Sequence, residues 1–142
     1  MTEKLILVCD DVEDNRIVFQ AVLEHGGYAV LMAESGLAAM KQARAFTPSL
    51  ILLDLMMPEL SGWETIALLK TDPQSRPILV VAVSACVEAR SSDLFEAGFC
   101  AMVPKPILPQ HLLDAVARCL AHGTSENAAA WLDLPAYSVT LH

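Results

Sequence analysis

The sequence predicts an α/β fold, a doubly wound sheet of five parallel strands with helices on both faces. Three observations predict it. Five short apolar runs alternate with five stretches of helical periodicity. Several runs, among them 50–53 and 78–83, are nearly continuous in Leu, Ile, Val and Ala, the pattern of strands buried on both faces. The chain has 142 residues, 54% of them hydrophobic and 18% charged, which suits one domain with a real core and is cramped for two.

The elements follow in order. Leu5–Cys9 reads as the first strand. Asp14 or Asn15 is the expected cap of a helix that runs to about His25, with Ile17, Val18, Ala21 and Val22 as its apolar stripe and Gly26-Gly27 as its stop. Ala29–Ala33 is the second strand. Ser35-Gly36 opens the next helix, which continues to about Phe46 and ends at Thr47-Pro48. Leu50–Leu53 is the third strand, followed by a helix from about Gly62 to Lys70. Ile78–Val83 is the fourth, followed by a helix within Val87 to Ala97 with Gly98 as its C-terminal stop. Ala101–Val103 is the fifth. The last helix begins near Leu108-Pro109, carries Leu112, Leu113, Val116 and Leu120, and ends at Gly123. Residues 1–123 form the predicted domain. Residues 124–142 are a tail with Trp131, Leu132, Leu134 and Tyr137, too short for a domain of its own, and expected to cover an apolar patch of the same domain or to dock on a second copy.

Composition excludes several functions. Nine basic residues against 17 acidic ones give a formal net charge of −8, which argues against binding a nucleic-acid backbone. The longest apolar run, Ile78 to Val87, is about half the roughly 20 residues of a membrane-spanning helix. Met-Thr-Glu-Lys leads straight into a strand-like run with no signal-peptide pattern, so a cytoplasmic protein is expected. Cys9, Cys86, Cys100 and Cys119 have no C-x-x-C spacing and read as buried free thiols. The four histidines are scattered without a zinc-site pattern.

In open α/β sheets, ligands bind beyond the carboxyl ends of the strands. The polar residues just past the apolar runs are Asp10-Asp11, Asp54, Ser84 and Lys105. Three carboxylates, one hydroxyl and one ammonium therefore converge on one rim. Clustered carboxylates repel unless a cation joins them. Mg²⁺ suits such a site, because it is satisfied by one or two carboxylates, waters and a phosphate. A carboxylate can also act as a nucleophile toward phosphorus and become an aspartyl-phosphate, with cations and a hydroxyl neutralising the transferred group. Each residue alone has an ordinary reading as a cap, turn, buried hydroxyl or surface charge. Their joint occurrence at four strand ends is what argues for chemistry.

Four segments carry a resemblance to the receiver domain of bacterial two-component response regulators. They are residues 6–16 (ILVCDDVEDNR), 50–62 (LILLDLMMPELSG), 81–85 (VAVSA) and 104–106 (PKP). The resemblance spans about Lys4 to Ala121 and implies a flavodoxin-like sheet with strand order 2-1-3-4-5. It further implies that Asp54 is the phospho-acceptor and that Asp11, Asp54 and the backbone carbonyl of Met56 bind Mg²⁺ directly. By the same resemblance Asp10 holds the metal through water, Ser84 contacts the phosphoryl group, and Lys105 pairs with it, set by a cis bond to Pro106. The implied partners are a histidine kinase or histidine phosphotransfer protein upstream. Downstream, a target protein or a homodimer would use the face formed by helix 4, strand 5 and helix 5.

Three departures from the family pattern matter. Met102 stands where the family often has the aromatic residue of its switch. Pro104 stiffens the end of strand five and removes an amide donor. Met56 and Cys86, two residues past Asp54 and Ser84, carry no charge to orient a water, so a long-lived phospho-form is expected. The tail has no Lys or Arg and no helix-turn-helix follows, so the reading is a non-enzymatic signalling receiver, alone or excised from a larger regulator. A receiver that docks constitutively without phosphorylation is the alternative. An aspartyl-phosphate hydrolase would want a second Asp at position 56, and an FMN binder would want a phosphate loop without Asp10-Asp11.

Overall fold

The computed structural model describes residues 3–85 and 91–122. The elements are β1 (Leu5–Cys9), α1 (Glu13–His25), β2 (Ala29–Ala33), α2 (Gly36–Phe46), β3 (Leu50–Asp54), α3 (Gly62–Thr71), β4 (Leu79–Ser84), α4 (Ser91–Ala97), β5 (Ala101–Pro104) and α5 (Pro109–His122). All strand pairs are parallel, and the sheet order is β2-β1-β3-β4-β5, as expected. Helices α1 and α5 pack together on one face, while α2, α3 and α4 follow one another across the other. Residues 123–142, and with them the expectations for Trp131 and the tail, lie outside the described residues.

The core explains the apolar runs. Ile6–Cys9, Leu50–Leu53 and Val80–Val83 are buried along their whole length, because β1, β3 and β4 are flanked by strands and covered on both faces. The large side chains Phe19 and Leu23 of α1 and Leu112 and Val116 of α5 close one layer. On the other layer Phe99 meets Trp63 of α3 edge-to-face, with ring centroids 5.7 Å apart.

Strand ends differ by a residue from the apolar runs. Asp54, Ser84 and Pro104 belong to their strands, because the ladder continues through the pairs Asp54 with Val83 and Ser84 with Pro104. Polar side chains at the last rung point to the rim without breaking the backbone pairing. Pro104 costs the ladder one donor, but the Lys105 amide resumes it with a 2.9 Å bond to the Ser84 carbonyl.

The start of α1 is a correction. Neither Asp14 nor Asn15 caps it. The helix begins at Glu13, Val12 is the N-cap, and no side chain caps it in the usual way. Asp10 takes over instead: its Oδ1 accepts a 2.9 Å bond from the Val12 amide, folding the chain sharply from strand into helix. The stop at Gly26-Gly27 holds. Gly27 has φ +93°, its amide bonds Glu24, and the Tyr28 amide reaches back to Leu23, a Schellman turn. Ser35 caps α2 as expected, and Ser61 with Glu64 forms a capping box on α3.

Candidate functional site

Parallel strand direction brings the ends of β1, β3, β4 and β5 to one rim. There the structure collects Asp10, Asp54, Ser84 and Lys105, with Asp11 at the outer edge. Asp10, Asp54 and Ser84 are buried, and Asp11 is exposed. One oxygen each of Asp10, Asp11 and Asp54 lies within 4.8 Å of the others, close enough to share a cation.

Asp54 is held at both of its oxygens. Its Oδ1 accepts a 3.0 Å bond from the Met56 amide, and its Oδ2 lies 3.1 Å from Lys105 Nζ. Burial raises its pKa above the ordinary carboxylate value, and the nearby Asp10 charge raises it further. The Met56 amide and the Lys105 ammonium pull the other way without cancelling the effect. Lys105 bridges Asp54 to Asp10, whose Oδ2 is 3.2 Å away. Burial alone would lower the lysine pKa, but its bonds and charge attraction to Asp54 and Asp10 outweigh burial and raise it. The residue is therefore a fixed cation between two buried carboxylates. Its backbone is held as well: the amide bonds Ser84, and the Lys105–Pro106 peptide is cis.

The sequence offered Asn15 only as a helix cap and gave neither it nor Arg16 a place at the site. Asn15 donates to both Asp10 oxygens at 3.3 Å, and an Arg16 guanidinium nitrogen donates at 2.8 Å to the Asp10 carbonyl. The two residues sit on the first turns of α1, whose start was expected later, and a polar pair following the buried acid was the available signal. Gly62 is a second missed support. A Cβ there would collide with the Asp54 carbonyl oxygen and approach Leu55 Cα to 2.7 Å, so α3 can seat against the end of β3 only with a glycine. Cys9 lies just inside the rim, bonded through sulfur to the Ser35 carbonyl at 3.3 Å. Burial and the three nearby carboxylates push its thiol up to about 12.

Met56 is two-thirds exposed at 66%, and its carbonyl is the backbone group expected at the cation. Met102 is buried within β5 and paired in register with Ala82, so it fills core volume. Cys86 lies outside the described residues. The hard-oxygen donor set fits Mg²⁺, and the Asp54 carboxylate, oriented and flanked by a cation, fits a nucleophile toward phosphorus.

This fold, with carboxylates and a lysine gathered at the carboxyl ends of its parallel strands, has the architecture of a receiver domain. The chain belongs to the response regulator receiver domain family, whose family model matches residues 6–117. It is similar to the polar-differentiation response regulator DivK of Brucella ovis, 34% identical over 114 residues that cover 80% of this chain and 93% of that one. Among solved structures, the N-terminal domain of a response regulator receiver protein from Methanoculleus marisnigri superposes with a TM-score of 0.70 at 33% identity, covering 85% of this chain and 99% of that one. The receiver domain of the sensor histidine kinase PA1611 from Pseudomonas aeruginosa superposes with a TM-score of 0.77 at 23% identity, covering 84% and 99%; that structure has a magnesium ion coordinated in its active-site cleft. The receiver fold of two-component signalling is thus established for this chain. No helix among the described residues is long and apolar enough to cross a membrane.

Proposed function

We propose that this receiver accepts a phosphoryl group on Asp54 from a histidine kinase or histidine phosphotransfer protein and thereby switches its binding to a downstream protein. The observation that carries the reading is the Asp54 carboxylate, buried, fixed by the Met56 amide and faced by Lys105 Nζ at 3.1 Å. A free oxygen lone pair of Asp54 attacks phosphorus. The bond from phosphorus to the donor imidazole breaks, and the imidazole leaves with the electron pair. Lys105 pairs with the incoming phosphoryl oxygens, and Ser84, buried at the end of β4, lies on the same rim to bond one of them. Asp11, Asp54 and the Met56 carbonyl would hold Mg²⁺ directly and Asp10 through water, and the ion would neutralise phosphoryl charge there.

The rim surface supports a protein donor. Val12, Ile17 and Val18 on and before α1 are exposed, as is Leu108 before α5. Val18 also lines a cleft of about 460 Å³ whose walls include Phe19, Lys105 and Ile107. An apolar border around a charged pocket suits an amphipathic helix that carries the reactive histidine.

Phosphorylation adds roughly −1.5 to −2 charge beside Lys105 and the end of β4. That charge draws Lys105 and Ser84 toward the acceptor and shifts the face of α4, β5 and α5, which serves a downstream target or a homodimer. On this reading the protein is a cytoplasmic signalling switch and not an enzyme. The test is incubation with Mg²⁺ and acetyl phosphate or beryllofluoride, with Asp54→Ala as control. A covalent phosphoryl mass on Asp54, or an Asp54-dependent spectral change with beryllofluoride, is expected. Neither change in the wild-type protein would favour the constitutive docking alternative and overturn the phosphorylation reading.

A further inference from the structure

We infer that Cys100 and Cys119 form a redox-responsive dithiol that closes to a disulfide under peroxide, a modification site separate from the acidic rim. Cys100 immediately precedes β5, and Cys119 sits in the last turns of α5. Both are free and buried, and their sulfurs are 2.7 Å apart. Bond formation therefore needs an approach of only about 0.7 Å to reach the roughly 2.0 Å of a disulfide. The third described thiol, Cys9, has a different environment: its sulfur neighbours are the Ser35 carbonyl and the Met57 thioether at 3.7 Å.

The chemistry balances with hydrogen peroxide as oxidant. One thiol sulfur attacks a peroxide oxygen and becomes a sulfenic acid, releasing one water. The second thiol attacks that sulfur, forming the S–S bond and expelling a second water. Both sulfurs are oxidised, and the peroxide oxygens are reduced. The contact with Cys100, together with burial, holds Cys119 protonated well above the ordinary thiol range. The first step is thus slow in the closed protein, and the sulfenic acid, once formed, has its resolving sulfur already in contact. That proximity favours the disulfide over sulfinic acid.

The bond would close a loop from 100 to 119 that contains β5, Met102, Lys105 and most of α5. It ties the last turns of α5 to the edge strand of the sheet, and it requires no phosphorylation.

The test treats the reduced, folded wild-type protein with millimolar hydrogen peroxide and maps it by trypsin. Cleavage after Arg90 and Arg118 places the two cysteines in peptides 91–118 and 119–142. The expected result is linkage of these two peptides with loss of the two thiol hydrogens and full reversal by dithiothreitol. The oxidised protein should also melt on the order of 10 °C higher. Cys119→Ala should lose both the linkage and the shift, but the wild-type map decides without it. Linkage that appears only in a denatured sample overturns the inference. So does oxidation of Cys100 or Cys119 to sulfinic or sulfonic acid without linkage.

Discussion

Replacing Asp54 by Asn should make this protein more stable, not less. Asp54 is 3% exposed, and its carboxylate has two opposing sets of neighbours. At an effective dielectric of about 20, the 3.1 Å contact with Lys105 is worth roughly 5 kcal/mol of attraction. Asp10 lies within 4.8 Å and repels by roughly 3.5 kcal/mol, while exposed, solvent-screened Asp11 adds about 1 kcal/mol. The Coulomb terms nearly cancel, which leaves the desolvation of a buried carboxylate uncompensated. Asn keeps the size of the side chain and an oxygen for the Met56 amide, and Lys105 keeps Asp10 as its partner. The expected gain is about 1–3 kcal/mol, or roughly 3–10 °C in melting temperature. The sign with pH follows from the raised pKa of Asp54. A carboxyl group bound more tightly to its proton in the folded state contributes stability that is complete below its ordinary value of 3.8. That contribution is lost as the pH rises through the folded value. The advantage of Asn is therefore largest at neutral pH and shrinks as the pH falls through the raised value toward 3.8. Urea unfolding in EDTA, run for both proteins across that range, measures it. An Asn variant equal to or weaker than the wild type at neutral pH, or a difference that does not change with pH, would refute the electrostatic account.

Three more outcomes follow from the same geometry. Lys105→Met leaves two buried carboxylates without their shared cation and should cost about 2–4 kcal/mol at neutral pH in EDTA, with a larger share regained on adding Mg²⁺ than in the wild type; an unchanged urea midpoint sinks this. Gly62→Ala forces a Cβ against the backbone of Asp54 and Leu55, where nothing flexible can give, and should cost about 2–4 kcal/mol in thermal or urea unfolding. A loss below 1 kcal/mol would mean α3 is free to shift. Met56→Asn supplies an amide that can orient water beside the acceptor, so the phospho-form should decay several-fold faster than in the wild type. A lifetime that does not shorten contradicts the role given to position 56.

Much of this architecture is legible in the chain, and the parts that are not have a common cause. The five strands announce themselves because β1, β3 and β4 are buried on both faces and need continuous apolar runs. The rim follows from topology, since parallel strands send all their carboxyl ends the same way. The strand ends at Asp54, Ser84 and Pro104 escape a hydrophobicity reading because backbone pairing outlasts the apolar side chains by one rung. The start of α1 escapes it because the capping oxygen belongs to Asp10, a residue of the preceding turn. The contacts of Asn15 and Arg16 with Asp10 depend on that shifted helix start. The need for Gly62 and the meeting of Cys100 with Cys119 are tertiary facts, set by how a helix packs on the sheet, and no local pattern carries them.

The sign of the Asp54 prediction bears on what the site is. The core of this domain obeys one rule: the central residues of β1, β3 and β4 are apolar, buried and would be costly to change. At the rim the rule inverts, because the residue present is less favourable for folding than a neutral isostere would be. A fold with buried apolar strands as complete as these tolerates a few kcal/mol of repulsion at its edge. Unlike a hydrophobic substitution, that repulsion is relieved by adding something, whether a divalent cation among the three carboxylates or a closer approach of Lys105. The same frustration that lowers stability makes the rim respond to charge, and one path out of the rim is short. Lys105 is bonded through its backbone to Ser84 at the end of β4, and it continues directly from β5. A charge change at Asp54 therefore acts first on the β4–β5 edge of the sheet. On the proposed reading, with Met102 buried in β5, the displacement is expected in the backbone from 104 to 108 and not in rotation of a side chain at 102.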